Sequence, residues 1–218
     1  MEAKEHLTKR DVVDAAREIV ATSGVPSLSM RKLSSKLGVA VTAIYWHVGN
    51  RDSLLDALID RELSDWKSLS PTGKTCKDRI LSLARELRER LLLGRYIMEL
   101  ASERGRIFDI FIPTYDILAG EFLEGGLGIE QAALAVRTLQ FHVVGSVILQ
   151  RRAERDPSSQ QVPLKDGEMD AQVSEEHKQR ISRVTFLALQ IPPDIAFETA
   201  TELLVDGLLA GVIRTTSL

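Results

Sequence analysis

Cysteine is almost missing: Cys76 is the one thiol in 218 residues. No intramolecular disulfide can form, and a reducing, cytoplasmic compartment is expected. The opening Met1-Glu2-Ala3-Lys4-Glu5-His6 lacks an apolar core, so it does not read as a secretory signal. No uninterrupted apolar run has the length of a membrane span; residues 143–149 are far too few, and no membrane partner is expected. Strand-period alternation and internal repeats are absent. The four histidines, His6, His47, His142 and His177, stand far apart with no His-x-x-x-His spacing, so neither a metal site nor a cofactor is expected. Gly125-Gly126-Leu127-Gly128 follows a helical pattern rather than a strand, which makes it a loop and not a nucleotide fingerprint. With no nucleophile, paired carboxylates or phosphate-cradling loop, catalysis is not expected.

What is present is enough apolar material for a sizeable core, 44% of residues, and 27% charged residues to solvate helix surfaces. The net charge of -3 is unevenly spread. In residues 1–51, Lys4, Lys9, Arg10, Arg17, Arg31, Lys32, Lys36 and Arg51 outnumber Glu2, Glu5, Asp11, Asp14 and Glu18. Between residues 29 and 51 there is no acid at all. A basic head on an acidic chain is the footprint of a module placed against phosphates, although an acid-free stretch also arises by chance.

Nearly every segment reads as helix. Thr8 with Asp11 three residues on is a short capping box, and Val12, Val13, Ala16, Ile19 and Val20 follow at helical spacing up to Gly24. Ser29 caps a second helix that Gly38 stops, a third covers residues 40–47, and Asn50 caps a fourth over 51–67. Beyond the Ser70-Pro71-Thr72-Gly73 turn come helices around 80–91, 107–122 and 129–155, with Pro113 near a helix start or at a kink. Residues 143–149 are apolar almost all round, as in a helix buried on several sides. Residues 156–170 read as a mobile loop inside the second domain, followed by helices over 174–190 and 193–214.

Residues 30–48 fit a helix-turn-helix. Leu33 and Leu37 face inward, Ser34 is small where the second helix crosses, Gly38 supplies a left-handed turn, and Val39 and Ile44 close the joint. The motif is reinforced by Tyr45-Trp46-His47-Val48, then Gly49-Asn50-Arg51 and Leu54-Leu55. On these residues the first 65 or so positions resemble the TetR family of bacterial repressors, and are particularly similar to tetracycline repressors. The resemblance implies an all-α fold with a three-helix head, residues 1–51, a connecting helix at about 51–69, and a helical ligand-binding and dimerisation body over 70–218. It implies that the helix over 40–47 enters the major groove of a double-stranded operator. Arg31 would reach a base or phosphate, Tyr45, His47 and Arg51 phosphates, and Trp46 the backbone. Val41, Thr42 and Ala43 depart from tetracycline repressors, so a different operator is expected; Thr42 can read a base and Val41 or Ala43 a thymine methyl.

The resemblance further implies a homodimer and a small-molecule effector, apolar or amphipathic. Candidate pocket residues are Met98, Phe108, Phe111, Tyr115, Phe122, Phe141 and His142, although any one of them also suits an ordinary core. Candidate dimer contacts are Val136, Leu139, Leu204, Gly207, Leu208 and Gly211, where small residues on an apolar stripe allow close helix approach. The alternative is a DNA-binding architectural or cell-cycle protein of the same fold with no effector. A cavity beside the Phe111 and Phe141 helices favours the sensor, and a solid core there favours the alternative.

Overall fold

A computed structural model describes residues 7–66, 69–155 and 174–211, apart from the side chains of Glu175, Lys178 and Ser182. Ten α-helices and two short 3-10 segments make up its regular structure, with no strand among the described residues. They are α1 Lys9–Ser23, α2 Met30–Leu37, α3 Val41–Val48, α4 Arg51–Trp66, α5 Cys76–Leu93, α6 Ile97–Glu103, α7 Ile112–Glu124, α8 Ile129–Arg155, α9 Glu175–Gln190 and α10 Pro193–Leu209. The expected loop over 156–170, Lys67 at the end of the fourth helix, and residues 212–214 of the last helix lie outside the described residues.

The chain divides into two compact units: the first runs to Pro71 and adds Glu89–Gly120, and the second joins Thr72–Arg88 to the chain from Glu121 onward. In the first, α1, α2, α3 and α4 pack on one another around Val12, Ala16, Leu33, Ile44, Leu54, Leu58 and Ile59, all buried. The helix ends follow local chemistry. Thr8 and Asp11 form the reciprocal capping box, and Ser29 accepts from the Lys32 N–H at 3.2 Å. Asn50 Oδ1 accepts from the Ser53 N–H at 2.8 Å, and Pro113 sits in the first turn of α7, where no intrahelical donor is lost. α6 has no counterpart in the sequence reading: it is seven residues long between Gly94 and Gly105, too short for a periodic signal.

In the second unit α8 packs on α10. Ala132, Val136, Leu139, Val143 and Val147 of α8 are buried, as are Phe197, Thr201, Val205 and Leu208 of α10. Two expectations are corrected here. Residues 143–149 are not buried on several sides: Val143 and Val147 are buried on one, whereas Ile148 is 51% and Leu149 70% exposed. Val136, Leu139 and Leu208 are not outward dimer contacts: they fill the intrachain seam, since an apolar helix buries the stripe facing its own neighbour first. Leu204 and Gly207 are half-buried and Gly211 is exposed. α8 is also long and apolar enough to cross a membrane by length and composition alone, because Arg137 interrupts its runs without lowering the mean much. Its buried stripe against α10 is that of a core helix.

Candidate nucleic-acid interface

α3 has two chemically distinct faces. Ile44 and Val48, one turn apart, are buried where α3 meets α1 and α4. Thr42, Tyr45 and Trp46 lie opposite, Tyr45 50% and Trp46 89% exposed, with Val41, Ala43 and His47 half-buried at the flanks. An indole burying so little contributes almost nothing to the fold, though a large apolar side chain is worth about 1.5–3 kcal/mol when buried.

The turn before α3 holds this face in place. Gly38 adopts φ 66°, ψ 30°, the left-handed region. The Ser34 hydroxyl donates to the Val39 carbonyl at 2.5 Å, and the Val39 N–H donates to the Ser34 carbonyl at 3.2 Å. Ser34 is therefore more than a small residue at a crossing: it clamps the turn from both sides.

Electrostatics reinforce the asymmetry. The acids of α1 are all engaged: Asp11 in the cap, Asp14 with Arg10 and with Arg61 at 3.0 Å, and Glu18 with Lys36 at 2.8 Å. The cap hydrogen bonds from Thr8 hold the Asp11 carboxyl below its ordinary range. Arg31, Lys32 and Arg51 are exposed and make no ion pair among the described residues. An exposed aromatic face in a head whose exposed cations meet no acid among the described residues is suited to phosphate oxygens and base edges.

Two polar networks of the first unit escape a reading by sequence. Asp52, Asp56 and Asp60 recur every fourth residue on α4, and that spacing was the available signal. Arg104 grips Asp56 through two nitrogens at 3.0 and 2.9 Å and reaches Asp52 at 3.3 Å, while Arg106 binds Asp60 and Asp109, each at 2.7 Å. The Arg104 hydrogen bond holds the Asp56 carboxyl below its ordinary range. Deeper, buried Glu62 accepts from the Tyr96 hydroxyl and pairs with Arg17 of α1 at 2.6 Å.

In the second unit a cavity of about 650 Å³ is bounded by α8, α9 and α10. Phe141 and His142 line it. Met98, Phe108, Phe111, Tyr115 and Phe122 do not: Phe111 and Phe122 are buried, Met98 is half-buried, and Phe108 and Tyr115 are exposed. Gly145, Ser146, Gln150 and Phe197 line it without having been singled out.

The profile "Bacterial regulatory proteins, tetR family" matches residues 12–58, and "Tetracyclin repressor-like, C-terminal domain" matches residues 70–212. The chain is 28% identical over 211 residues to the tetracycline repressor protein class A from transposon 1721 of Escherichia coli, covering 93% of this chain and 90% of that protein. It is 31% identical over 141 residues to an HTH-type transcriptional regulator of Saccharopolyspora erythraea, a match spanning 65% of this chain and 60% of that relative's length. Apo ActR from Streptomyces coelicolor superposes with a TM-score of 0.73 at 26% identity, covering 96% of this chain and 98% of that one. ActR in complex with actinorhodin gives 0.72 at 25% identity, covering 94% and 96%. The chain belongs to the tetR family of bacterial regulatory proteins, whose members are transcription regulators and not enzymes.

Proposed function

We propose that the chain is a homodimeric, ligand-responsive repressor that acts in the cytoplasm and reads a palindromic duplex operator through α3. Residues 1–51 read DNA, 51–69 connect, and 70–218 bind effector and partner. The observation that carries this reading is the exposed Thr42, Tyr45 and Trp46 face of α3, together with exposed Arg31 and Arg51 that make no ion pair among the described residues. Thr42, with Val41 and Ala43 at its sides, meets base edges; Tyr45, Trp46, His47, Arg31 and Arg51 hold the backbone. The effector is small and apolar or amphipathic. ActR, a family member, has been crystallised with actinorhodin, and the cavity beside Phe141 supports a sensor over an architectural protein without an effector.

Release is a population shift. Two recognition helices match successive major grooves only about 34–36 Å apart. An effector that favours a different setting of α4 by about 1.4 kcal/mol weakens operator binding tenfold. The Arg104 and Arg106 grip on Asp52, Asp56 and Asp60 is the handle on α4, and α5 adds Arg90, which donates to the Asp65 carbonyl at 2.7 Å.

The test is selection of the bound sequence from random DNA, followed by titration of variants on it. Tyr45→Ala and Arg51→Ala should each weaken binding, and Arg51→Ala should lower the salt slope by about 0.9, one phosphate contact. Thr42→Ala should change which operator is preferred. Unchanged affinity in both of the first two variants would show that α3 does not dock as proposed.

A further inference from the structure

The cavity bounded by α8, α9 and α10 is open to solvent on one side, where Phe141, Leu149 and Ile191 are exposed, and its volume of about 650 Å³ falls within the roughly 300–1,000 Å³ of small-molecule sites. One side of it is a polar stripe: His142, Ser146 and Gln150 recur every fourth residue along α8 and share a face. The other is apolar, formed by Ala188, Leu189 and Ile191 with Ala196 and Phe197 of α10. No acidic residue lines it among the described residues.

The stripe offers acceptors and almost no donors. The Thr201 hydroxyl donates to the Phe197 carbonyl at 2.6 Å, so its oxygen meets His142 Nε2, 2.9 Å away, as an acceptor. Nε2 therefore carries the ring proton. Burial pushes the His142 pKa below its ordinary value, outweighing the ring's hydrogen bond to the Phe197 backbone, which raises it, so the neutral ring is favoured near pH 7. Nδ1 is left as an acceptor, with no donor to it among the described residues. Ser146 already donates its hydroxyl proton to the Val143 carbonyl at 2.6 Å, which leaves its lone pairs. Both ends of the Gln150 amide are engaged: its oxygen accepts from Arg88 and its nitrogen donates to Glu154 at 3.1 Å.

The His142 ring is also held in place. It stacks on Phe197 with centroids 5.3 Å apart and planes 5° from parallel, and the Arg88 guanidinium lies over the Phe197 ring at 4.6 Å. A cationic donor would meet no carboxylate in the lining itself; the nearby carboxylates are held, Asp194 by Arg88 at 2.8 Å and Glu154 by the Gln150 amide at 3.1 Å. A neutral hydroxyl carried on a flat apolar body fits both sides of the cavity.

Resting on the ligand-responsive reading above, we propose that this cavity is the effector site and takes a planar aromatic molecule whose phenolic hydroxyl donates to His142 Nδ1. The test titrates the full chain with fluorescent 2-naphthol and with 2-methoxynaphthalene, which has the same rings but no donor. The phenol should bind about three- to tenfold more tightly, the value of one net hydrogen bond. His142→Phe should abolish that preference while still binding the ether. Gly145→Leu should lose both probes without unfolding, because a Cβ there meets nothing within 4 Å and leucine favours a helix more than glycine does. Equal affinities, no binding of either probe, or a preference surviving His142→Phe overturns the proposal. So does a Gly145→Leu chain that still binds both probes and changes only its association state, which would make the cavity a contact between copies. Operator binding is measured in parallel: intact operator binding without phenol preference sinks this site alone, whereas a wild-type chain that ignores duplex sinks the regulator reading.

Discussion

Glu62 is a carboxylate only 5% exposed, and two neighbours make that tolerable: the Tyr96 hydroxyl donates to it and Arg17 pairs with it. Removing a partner from a buried charged group costs more than the contact's net worth, because the survivor is left unsatisfied. Glu62→Ala strands a buried phenol and should lower the unfolding free energy by about 3 kcal/mol, against about 1 kcal/mol for Tyr96→Phe. The two effects should be strongly non-additive in a double-mutant cycle read by urea unfolding; additive losses would mean the pair is not coupled. Burial first, then Glu62, pushes the Tyr96 pKa far above its ordinary 10.0. A raised pKa gives stability that is complete below the unfolded value and lost as pH climbs past it. Alkaline destabilisation should therefore set in above about pH 10 in the wild type and flatten in Tyr96→Phe. None of this network was legible in the sequence, because its members lie 34 and 45 residues apart and a glutamate on an amphipathic helix reads as a solvated one.

Elements fared better, for a physical reason. Thr8, Ser29, Gly38 and Asn50 act within three or four residues of themselves, so their effect survives translation from sequence to structure. Ser34 shows the limit: its size is visible in sequence, but its bond to Val39 is not. Two glycines show why the turn itself is specified. At Gly38, with φ +66°, a Cβ would meet no atom within 4 Å, so Gly38→Ala pays only the left-handed penalty, roughly 1–2 kcal/mol. At Gly145, in a right-handed helix with equally open surroundings, the same substitution should stabilise by about 0.5–1 kcal/mol. Thermal midpoints should therefore move in opposite directions. Only Gly38→Ala should weaken operator binding as well, since it disturbs the angle between α2 and α3; two shifts of the same sign would refute this account of the turn.

For the whole molecule, the decisive ambiguity was which side of α8 faces its own chain. Its composition is apolar around much of the circumference, so periodicity could identify a long buried helix but could not separate the stripe against α10 from one left for a partner. The buried stripe of Val136, Leu139, Val143 and Val147 resolves the first, and Leu134, Ile148 and Leu203 remain 42%, 51% and 68% exposed. In the proposed dimer a second copy covers these large apolar side chains on α8 and α10, and the two sets should respond differently to a charge. Val136→Glu buries a carboxylate in the intrachain seam and should prevent folding outright. Ile148→Glu and Leu203→Glu should leave a folded chain whose dimer dissociates at least about tenfold more readily, equivalent to 1.4 kcal/mol, in sedimentation velocity. Because each half-site alone holds one head weakly, operator affinity in these variants should become steeply dependent on protein concentration. A chain that stays dimeric with both glutamates in place would put the partner on another face.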